Sequence, residues 1–280
     1  MISIQPLLIP TCRTAPGNKH LKLAVARRLW NESFFGAPQL KRDPLGCTMT
    51  DSLVEIDSSG FALIPTFVGQ DELGAFERAL PESLGENGGI RNLLDIPSIA
   101  DLAERISVRE LIEPVLGQGA FPVRAILFDK TPVANWKVSW HQDLTIAVTK
   151  RMDVPGYGPW SEKAGVWHVQ PPAAVLEGML AVRVHIDESG LTNGPLRVLP
   201  GSHRAGKLGD SDIPAWRARI AEQICLVPRG GVVLMRPLLL HASSPALEPQ
   251  HRRVIHIEFA SGRLAPGLEW RWAKDRARAA

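Results

Sequence analysis

The second half of the chain, from Phe121 to Ala260, is a series of short apolar segments separated by glycine, proline and asparagine turns. In the segment from Met179 to Asp187, apolar side chains at every second position alternate with Ala181, Arg183 and His185. An alternation of period two is typical of a strand whose two faces meet different surroundings. Many short strands after a helical first half favour a double-sheet barrel with helices outside it. We therefore predict a mainly β fold with flanking helices, a double-stranded β-helix of the jelly-roll or cupin type.

The first part of the chain predicts helices and one strand. A basic amphipathic helix is expected over His20–Phe35, and a short buried strand over Gly60–Pro65. One helix should run from Asp71 to Leu80. A longer helical tract should run from Ile96 to Leu116, where Gly117 ends it.

Composition argues against several classes of partner and location. A net charge of +3, from 32 basic and 29 acidic residues, gives no reason to expect a nucleic acid or membrane partner. No apolar run approaches the roughly 20 residues that span a bilayer, and we expect no signal peptide at the start. The 3 cysteines are far apart, which is typical of free thiols in a reducing compartment, so we expect a cytoplasmic protein. The sequence does not indicate an oligomeric state.

The stretch from Trp136 to Leu144 contains a candidate metal-binding pair. We predict a strand over Asn135–Leu144, in which His141 and Asp143 point to the same face and can bind one metal ion. Imidazole and carboxylate, with one further histidine, are the ligands of a non-haem Fe(II) site that keeps positions open for small molecules. Alone, the pair also fits a buried histidine bonded to a neighbouring carboxylate.

His241 is the best candidate for the third ligand. It follows the apolar run Leu238–Leu240 and precedes a polar segment that ends in Pro245, so it lies where a late strand opens into a loop. A jelly roll brings its later strands beside its earlier ones. Arg252 lies eleven residues further on, and a hairpin would place it on the strand next to His241. Its guanidinium could there hold the carboxylate of a keto-acid cosubstrate in a two-pronged contact.

Three groups of residues, in this order, carry a resemblance to the phytanoyl-CoA dioxygenase family of Fe(II)- and 2-oxoglutarate-dependent oxygenases. They are Asn135–Lys137 leading to Trp140–Asp143, Asn193–Leu196 leading to Pro200–His203, and His241–Ser243 with Arg252. The resemblance covers about residues 60 to 260. We therefore expect a single oxygenase domain over residues 1–280, in which residues 1–50 form an N-terminal extension.

The resemblance implies roles for individual residues. His141, Asp143 and His241 would bind Fe(II). Arg252, assisted by Ser243, would bind the distal carboxylate of 2-oxoglutarate. Two further residues share the His141 face by strand parity and would line the cosubstrate or substrate pocket, namely Asn135 and Lys137.

The implied activity is hydroxylation of a small organic molecule, with 2-oxoglutarate and O2 consumed and succinate and CO2 released. Halogenating relatives carry a small residue at the position of Asp143, so the carboxylate favours hydroxylation. Two alternatives stay open at this point. One is a Zn or Mn enzyme for hydrolysis or isomerisation on the same barrel, and the other is a non-catalytic ligand-binding barrel.

Three residues are candidates for contact with the substrate. Arg183 and His185 face the cavity if the apolar face of their strand packs under the helices, and they lie on the surface if the register is reversed. Trp167 either edges the pocket, together with His168, or packs within a loop. His256, on the Arg252 face of its strand, either supports the site or is simply packed.

Overall fold

The alternating segments of the second half become strands of two facing sheets. A computed structural model describes residues 55–80 and 89–272. The strands are β1 (Phe61–Ile64), β2 (Gly89–Ile90), β3 (Phe121–Lys130), β4 (Val138–His141), β5 (Ile146–Val148), β6 (Trp160–Lys163), β7 (Val166–Val169), β8 (Met179–His185), β9 (Leu196–Val198), β10 (Gln223–Cys225), β11 (Val232–Met235), β12 (His241–Ser243) and β13 (Arg252–Ala260).

The sheet order is that of a jelly roll with one small additional sheet. A six-stranded sheet has the order β1-β11-β8-β13-β3-β2, and a four-stranded sheet has the order β10-β9-β12-β4. Apolar residues of both sheets pack together between them, including Ala181 and Val233 from the first and Val198 from the second. The third sheet has the order β5-β7-β6. The predicted mainly β, double-sheet fold is confirmed.

Helices α1 (Gln70–Ala79), α2 (Pro97–Glu104) and α3 (Ile106–Leu116) cover the outer face of the six-stranded sheet. Two shorter helices, α4 (Ala173–Glu177) and α5 (Ile213–Arg219), do not contribute to the core between these helices and the sheet. Phe76, Leu102 and Leu111 of the first three helices pack in one core with Val182 and Val184 of β8. The apolar face of β8 therefore lies under the helices, and the face with Arg183 points into the barrel. None of the helices in the described ranges has the length and apolar character needed to cross a membrane.

The prediction of one continuous helical tract from Ile96 to Leu116 is wrong. The tract breaks at Arg105, which has an extended backbone conformation (φ −63°, ψ 146°) between α2 and α3. The break lets the Arg105 side chain pair with Glu72 of α1 and lie over the Phe76 ring, 5.6 Å from its centroid. It also leaves Ile106, the first residue of α3, 77% exposed.

Two predictions about the strands near the site are also wrong. The strand expected over residues 135–144 extends only from Val138 to His141. The hairpin expected to join His241 to Arg252 does not form, because β12 belongs to the four-stranded sheet and β13 to the six-stranded one. The loop between them crosses from one sheet to the other. The helix predicted over residues 20–35 and the N-terminal extension lie outside the described residues.

The core under the helices generates a prediction about stability. Leu102 of α2 is 1% exposed and packs between the helices and the sheet, so Leu102→Ala leaves a cavity. We expect the free energy of unfolding to fall by about 2–5 kcal/mol, measured by urea denaturation. The matched control is Leu247→Ala at a leucine that is 81% exposed, where a change within about 0.5 kcal/mol is expected. Equal losses in both variants would contradict this assignment of the core.

Candidate metal centre

Three metal-ligating side chains meet where β4 ends and β12 begins. His141 and His241 are direct partners in the β4–β12 ladder, and their rings lie 4.2 Å apart between centroids. Asp143 follows two residues after β4. Its Oδ1 lies 3.8 Å from His141 Nε2, and its Oδ2 lies 3.6 Å from His241 Nε2. Two donors that bind one ion at about 2.1 Å each are at most about 4.2 Å apart, so both distances are within the reach of a single ion.

Hydrogen bonds to the backbone orient both imidazoles. Nδ1 of His141 lies 2.8 Å from the Ser139 carbonyl oxygen, and Nδ1 of His241 lies 2.9 Å from the Leu239 carbonyl oxygen. A carbonyl oxygen only accepts, so Nδ1 carries the proton in each ring and Nε2 keeps a free lone pair. Metal-binding histidines are fixed in the same way by a bond at the other ring nitrogen.

The segments that carry the ligands are pinned to each other. Gln142 lies between His141 and Asp143 in the sequence. Its Nε2 donates to the carbonyl oxygens of Gly206 (2.8 Å) and Leu238 (2.6 Å). The Asp143 backbone N–H donates to the Pro237 carbonyl oxygen (2.8 Å). The Ser202 hydroxyl, in the Pro200–His203 turn, accepts the backbone N–H of Leu240 (2.8 Å), the residue before His241.

The charge states of the ligands suit a divalent cation. Burial alone would raise the pKa of Asp143, but the nearby His241, His256, His141 and Arg124 hold it well below its ordinary value. Burial lowers the pKa of His241 to about 3, which outweighs the opposing effect of Asp143. The site therefore presents an ionised carboxylate and a neutral imidazole at neutral pH, which are the forms that bind metal.

A cavity of about 120 Å³ extends from these three side chains into the barrel. One wall comes from β3, β8 and β13, and the other from β4, β9 and β12. Of the residues predicted to bind cosubstrate or substrate, three line this cavity, namely Ser243, Arg252 and Arg183. The volume exceeds that of a single water site several times over, so the cavity can hold a small ligand.

The deep end of the cavity is built around the Asn193–Leu196 turn. The Gly194 carbonyl oxygen accepts hydrogen bonds from Arg252 Nη1 (2.7 Å) and Ser243 Oγ (3.1 Å). Gly194 has φ +71°, and a Cβ there would lie 2.5 Å from the Ser244 carbonyl oxygen, so only glycine fits. Lys130 of β3 reaches the same point, where its Nζ donates to Ser243 Oγ (2.7 Å) and to the Ser244 carbonyl oxygen.

A chain of buried charged side chains joins the middle of the cavity to the metal ligands. Arg183 Nη1 donates to His256 Nδ1 (2.9 Å), so His256 carries its proton on Nε2 and donates to Glu258 Oε1 (3.1 Å). The same carboxylate oxygen pairs with Arg124. Ligand atoms of His256, Glu258 and Asp143 lie within 4.8 Å of one another. His256 and Glu258 therefore lie next to Asp143 and link it to Arg183 and Arg124.

The other residues predicted to bind cosubstrate or substrate do not line the cavity. Asn135 lies before β4 and bonds the backbone of Ala246, donating to its carbonyl oxygen (2.9 Å) and accepting its N–H (2.7 Å). Lys137 is exposed. The parity argument for both was wrong because the strand begins only at Val138.

Two of the predicted substrate contacts also lie away from the cavity. His185 is buried on the Arg183 face of β8, and neither of its ring nitrogens has a hydrogen-bond partner among the described residues. Trp167 packs in the apolar cluster beneath the three-stranded sheet, under the Arg151 guanidinium.

Sequence reasoning missed Lys130, Arg124 and Glu258. A signal for two of them was present in the sequence of β3, an apolar strand. Its inward-facing residues are Arg124, Ile126, Phe128 and Lys130, and the first and last of these are charged. A charge within a strand that is buried on both faces needs a partner or a ligand. Glu258 was visible as the fourth member of the alternation Arg252, Val254, His256 and Glu258, but only Arg252 and His256 were considered.

The buried pair beneath the ligands generates a second prediction. Glu258→Ala leaves Arg124 charged and unpaired in the interior, and we expect a loss of about 3–5 kcal/mol in the free energy of unfolding. The matched control is Glu222→Ala, which removes a carboxylate that is 40% exposed and pairs with Arg197, where about 0–1 kcal/mol is expected. Chemical denaturation of both variants measures the difference. A Glu258→Ala variant as stable as the control would contradict the buried pairing.

Comparisons with known proteins agree with this architecture. A structure of AviO1 from Streptomyces viridochromogenes Tue57 superimposes with a TM-score of 0.56 at 21% identity, covering 82% of this chain and 99% of that one. A structure of EctD from S. alaskensis with 2-oxoglutarate and 5-hydroxyectoine has a TM-score of 0.56 at 18% identity, covering 75% and 74% of the two chains. These likenesses show a shared fold.

Sequence comparison gives one relative and one family. The relative is an L-proline trans-4-hydroxylase from Streptomyces griseoviridis, which is 24% identical over 127 residues. That match covers 36% of this chain and 47% of the hydroxylase, so the chain spans about half the length of this relative. The family model for phytanoyl-CoA dioxygenase matches residues 56–254, which is most of the chain and includes all the residues of the site described above except His256 and Glu258. The protein therefore belongs to the phytanoyl-CoA dioxygenase family, as its motifs indicated.

Proposed function

We propose that this protein is an Fe(II)- and 2-oxoglutarate-dependent dioxygenase that hydroxylates a small organic molecule and releases succinate and CO2. The observation that carries the proposal is that one cavity has a His-Asp-His cluster at its mouth and unpaired cations at its deep end. Family membership and the shared fold support it. His141, Asp143 and His241 would hold the iron, which supplies the O2 chemistry when bound.

The charges at the deep end favour a dianionic cosubstrate. Lys130, Arg183 and Arg252 line the cavity, and none of them forms a salt bridge within the described part of the chain. Their polar contacts are with neutral groups, namely the Gly194 and Ser244 carbonyls, the Ser243 hydroxyl and the His256 ring. Buried cations without counter-charges are costly, and a ligand carboxylate between Arg252 and Lys130 would relieve that cost. We assign the distal carboxylate of 2-oxoglutarate to this place.

Each alternative leaves one half of the cavity without a use. A Zn or Mn hydrolase or isomerase needs the three ligands but not a buried dianion site, and a binding barrel could use the cations but does not need the His-Asp-His cluster. Two of the similar proteins, by their names, act on or bind small polar molecules, a proline and an ectoine derivative, which supports a small-molecule substrate here. A cytoplasmic location and a single-domain organisation stay predictions.

An anaerobic titration tests the assignment of metal and cosubstrate. We expect Fe(II) and 2-oxoglutarate together to produce a visible charge-transfer band in the wild-type protein, and His241→Ala to abolish both the band and succinate formation. The control is His203→Ala, since His203 lies in the Pro200–His203 turn and does not line the cavity. Turnover that survives in His241→Ala, or a band lost equally in His203→Ala, would remove the proposed metal site. 2-Oxoglutarate binding without succinate release on any compound would instead favour the binding barrel.

Lys130 generates a pH dependence of cosubstrate use. Burial, with the charges of Arg252 and Arg197, lowers the pKa of Lys130 to about 7, so its positive charge is lost as the pH rises through that value. We expect kcat/KM for 2-oxoglutarate to fall between about pH 6 and 8 to a lower plateau, and Lys130→Met to remain on that plateau throughout.

Arg252 provides the control for this profile. Burial lowers its pKa only to about 10, so Arg252→Ala should reduce kcat/KM across the whole range. The decline should remain but move to higher pH, because the Arg252 charge helps to lower the pKa of Lys130. Steady-state kinetics of the three proteins at constant ionic strength measure the profiles. The same decline in wild type and Lys130→Met would show that another group titrates.

A further inference from the structure

The three-stranded sheet has one face that the proposed function does not yet use. In the β5–β7 and β6–β7 ladders, His168 lies directly opposite Ala147 and Ser161, and Lys163 lies opposite Val166. These residues share one face, while Trp160, Trp167 and Val169 on the other face pack into an apolar cluster. The polar face is turned toward the metal end of the cavity, because β5 follows Asp143 after two residues and Arg124 donates to Thr145 Oγ1 (3.4 Å).

Two cations without carboxylate partners come together at the edge of this face. The two cations are Arg91 and Lys163. Asn92, the residue after Arg91, donates from Nδ2 to the carbonyl oxygen of Ala164, the residue after Lys163 (3.1 Å), and this bond brings Arg91 and Lys163 close to each other. Among the described residues neither cation has a hydrogen bond or a salt bridge. Burial lowers the pKa of Lys163, and the charges of Arg124 and Arg91 lower it further, against the opposing Asp143 and Glu258. The like charges are thus near each other and near the metal ligands.

His168 lies on the same face of the sheet as Lys163 and has one ring nitrogen without a partner among the described residues. It is 2% exposed, and its Nδ1 lies 3.0 Å from the Val166 carbonyl oxygen, so Nδ1 carries the proton. Nε2 is then an acceptor, and no described residue donates to it. Burial lowers the pKa of His168 to about 4, which keeps the ring neutral at physiological pH. Nε2 is therefore available to accept a hydrogen bond from a ligand.

We propose that Arg91, Lys163 and His168 form the substrate-recognition end of the site, and that the substrate is a small carboxylic acid with an N–H or O–H donor, such as an amino acid or a hydroxy acid. The inference rests on the proposed function, because it places the substrate beside the iron. The carboxylate lies between the Arg91 and Lys163 side chains, and the donor bonds to His168 Nε2. Neither cation has a salt bridge among the described residues, so both are available to attract a carboxylate of the substrate.

Calorimetry with charge-matched probes tests this proposal. L-Amino acids and L-2-hydroxy acids are titrated into the anaerobic Fe(II)–2-oxoglutarate protein, alongside their carboxamides and the parent acids that lack the amino or hydroxyl group. We expect the best-binding acid to bind at least tenfold more tightly than its carboxamide, and several-fold more tightly than the parent acid. Carboxamides that bind as well as the acids, or a panel in which no acid binds, would overturn the proposal.

Variants separate this inference from the proposed function. Arg91→Gln and Lys163→Gln should each weaken binding of the best acid about tenfold or more, and leave the 2-oxoglutarate affinity unchanged. The control is Arg78→Gln, at an exposed cation on α1, for which no change is expected. If both the Arg91 and the Lys163 variant bind the acid as tightly as the wild type, the proposed recognition site is wrong. A wild-type protein that fails to bind 2-oxoglutarate would instead refute the proposed function.

Discussion

The interior of the barrel holds more positive charge than its own carboxylates can balance. Arg124, Lys130, Arg183 and Arg252 are all buried, whereas only Asp143 and Glu258 line the same cavity with negative charge. Taking such groups out of water is expensive unless they are paired or bonded. The protein meets this constraint in two ways. It pairs Arg124 with Glu258, and it surrounds the other cations with neutral acceptors that a ligand carboxylate can replace.

This constraint explains why the turns of the family resemblance lie where they do. The Gly194 carbonyl oxygen accepts from both Arg252 and Ser243, and it does so in a left-handed backbone conformation that favours glycine. Ser202 accepts the N–H of Leu240 and so fixes the start of β12, where His241 lies. The two turns thus act on opposite ends of one three-residue strand. One end presents His241, the candidate metal ligand, and the other presents Ser243, the candidate cosubstrate contact.

The sequence predicted which residues form the candidate metal cluster more accurately than it predicted the arrangement of the strands around them. The pair His141 and Asp143 follows from local spacing, and His241 follows from its position after a buried apolar run. Arg252 was expected next to His241 through a hairpin, yet it meets Ser243 from the opposite sheet through the Gly194 carbonyl. The loop between β12 and β13 decides which sheet each strand joins, and its sequence has no periodicity from which this could be predicted. Arg252 was therefore predicted to lie near β12, which is correct, but through a hairpin that does not form.

Strand limits caused the other failures at the site. The Asn135 and Lys137 assignments required a strand that begins at residue 135. Two backbone hydrogen bonds between Thr131 and Ala134 instead close a turn after β3, and Asn135 is drawn to Ala246. Parity is reliable only inside a ladder, and the ladder starts three residues later. Lys130 was missed although it shares the inward-facing set of β3 with Arg124, because a lysine at the end of an apolar strand usually marks the surface.

The two anion sites that follow from these charges differ in their surroundings. Lys130 and Arg252 lie in the closed end of the barrel, where a low effective dielectric strengthens each contact with a carboxylate. Arg91 is exposed and Lys163 is half-buried, so their attraction for an anion is screened by salt and weaker per contact. On the proposed function, the arrangement would bind the common cosubstrate firmly in a preformed site. Discrimination among substrates would then depend on Arg91, Lys163 and His168, the proposed recognition end of the site.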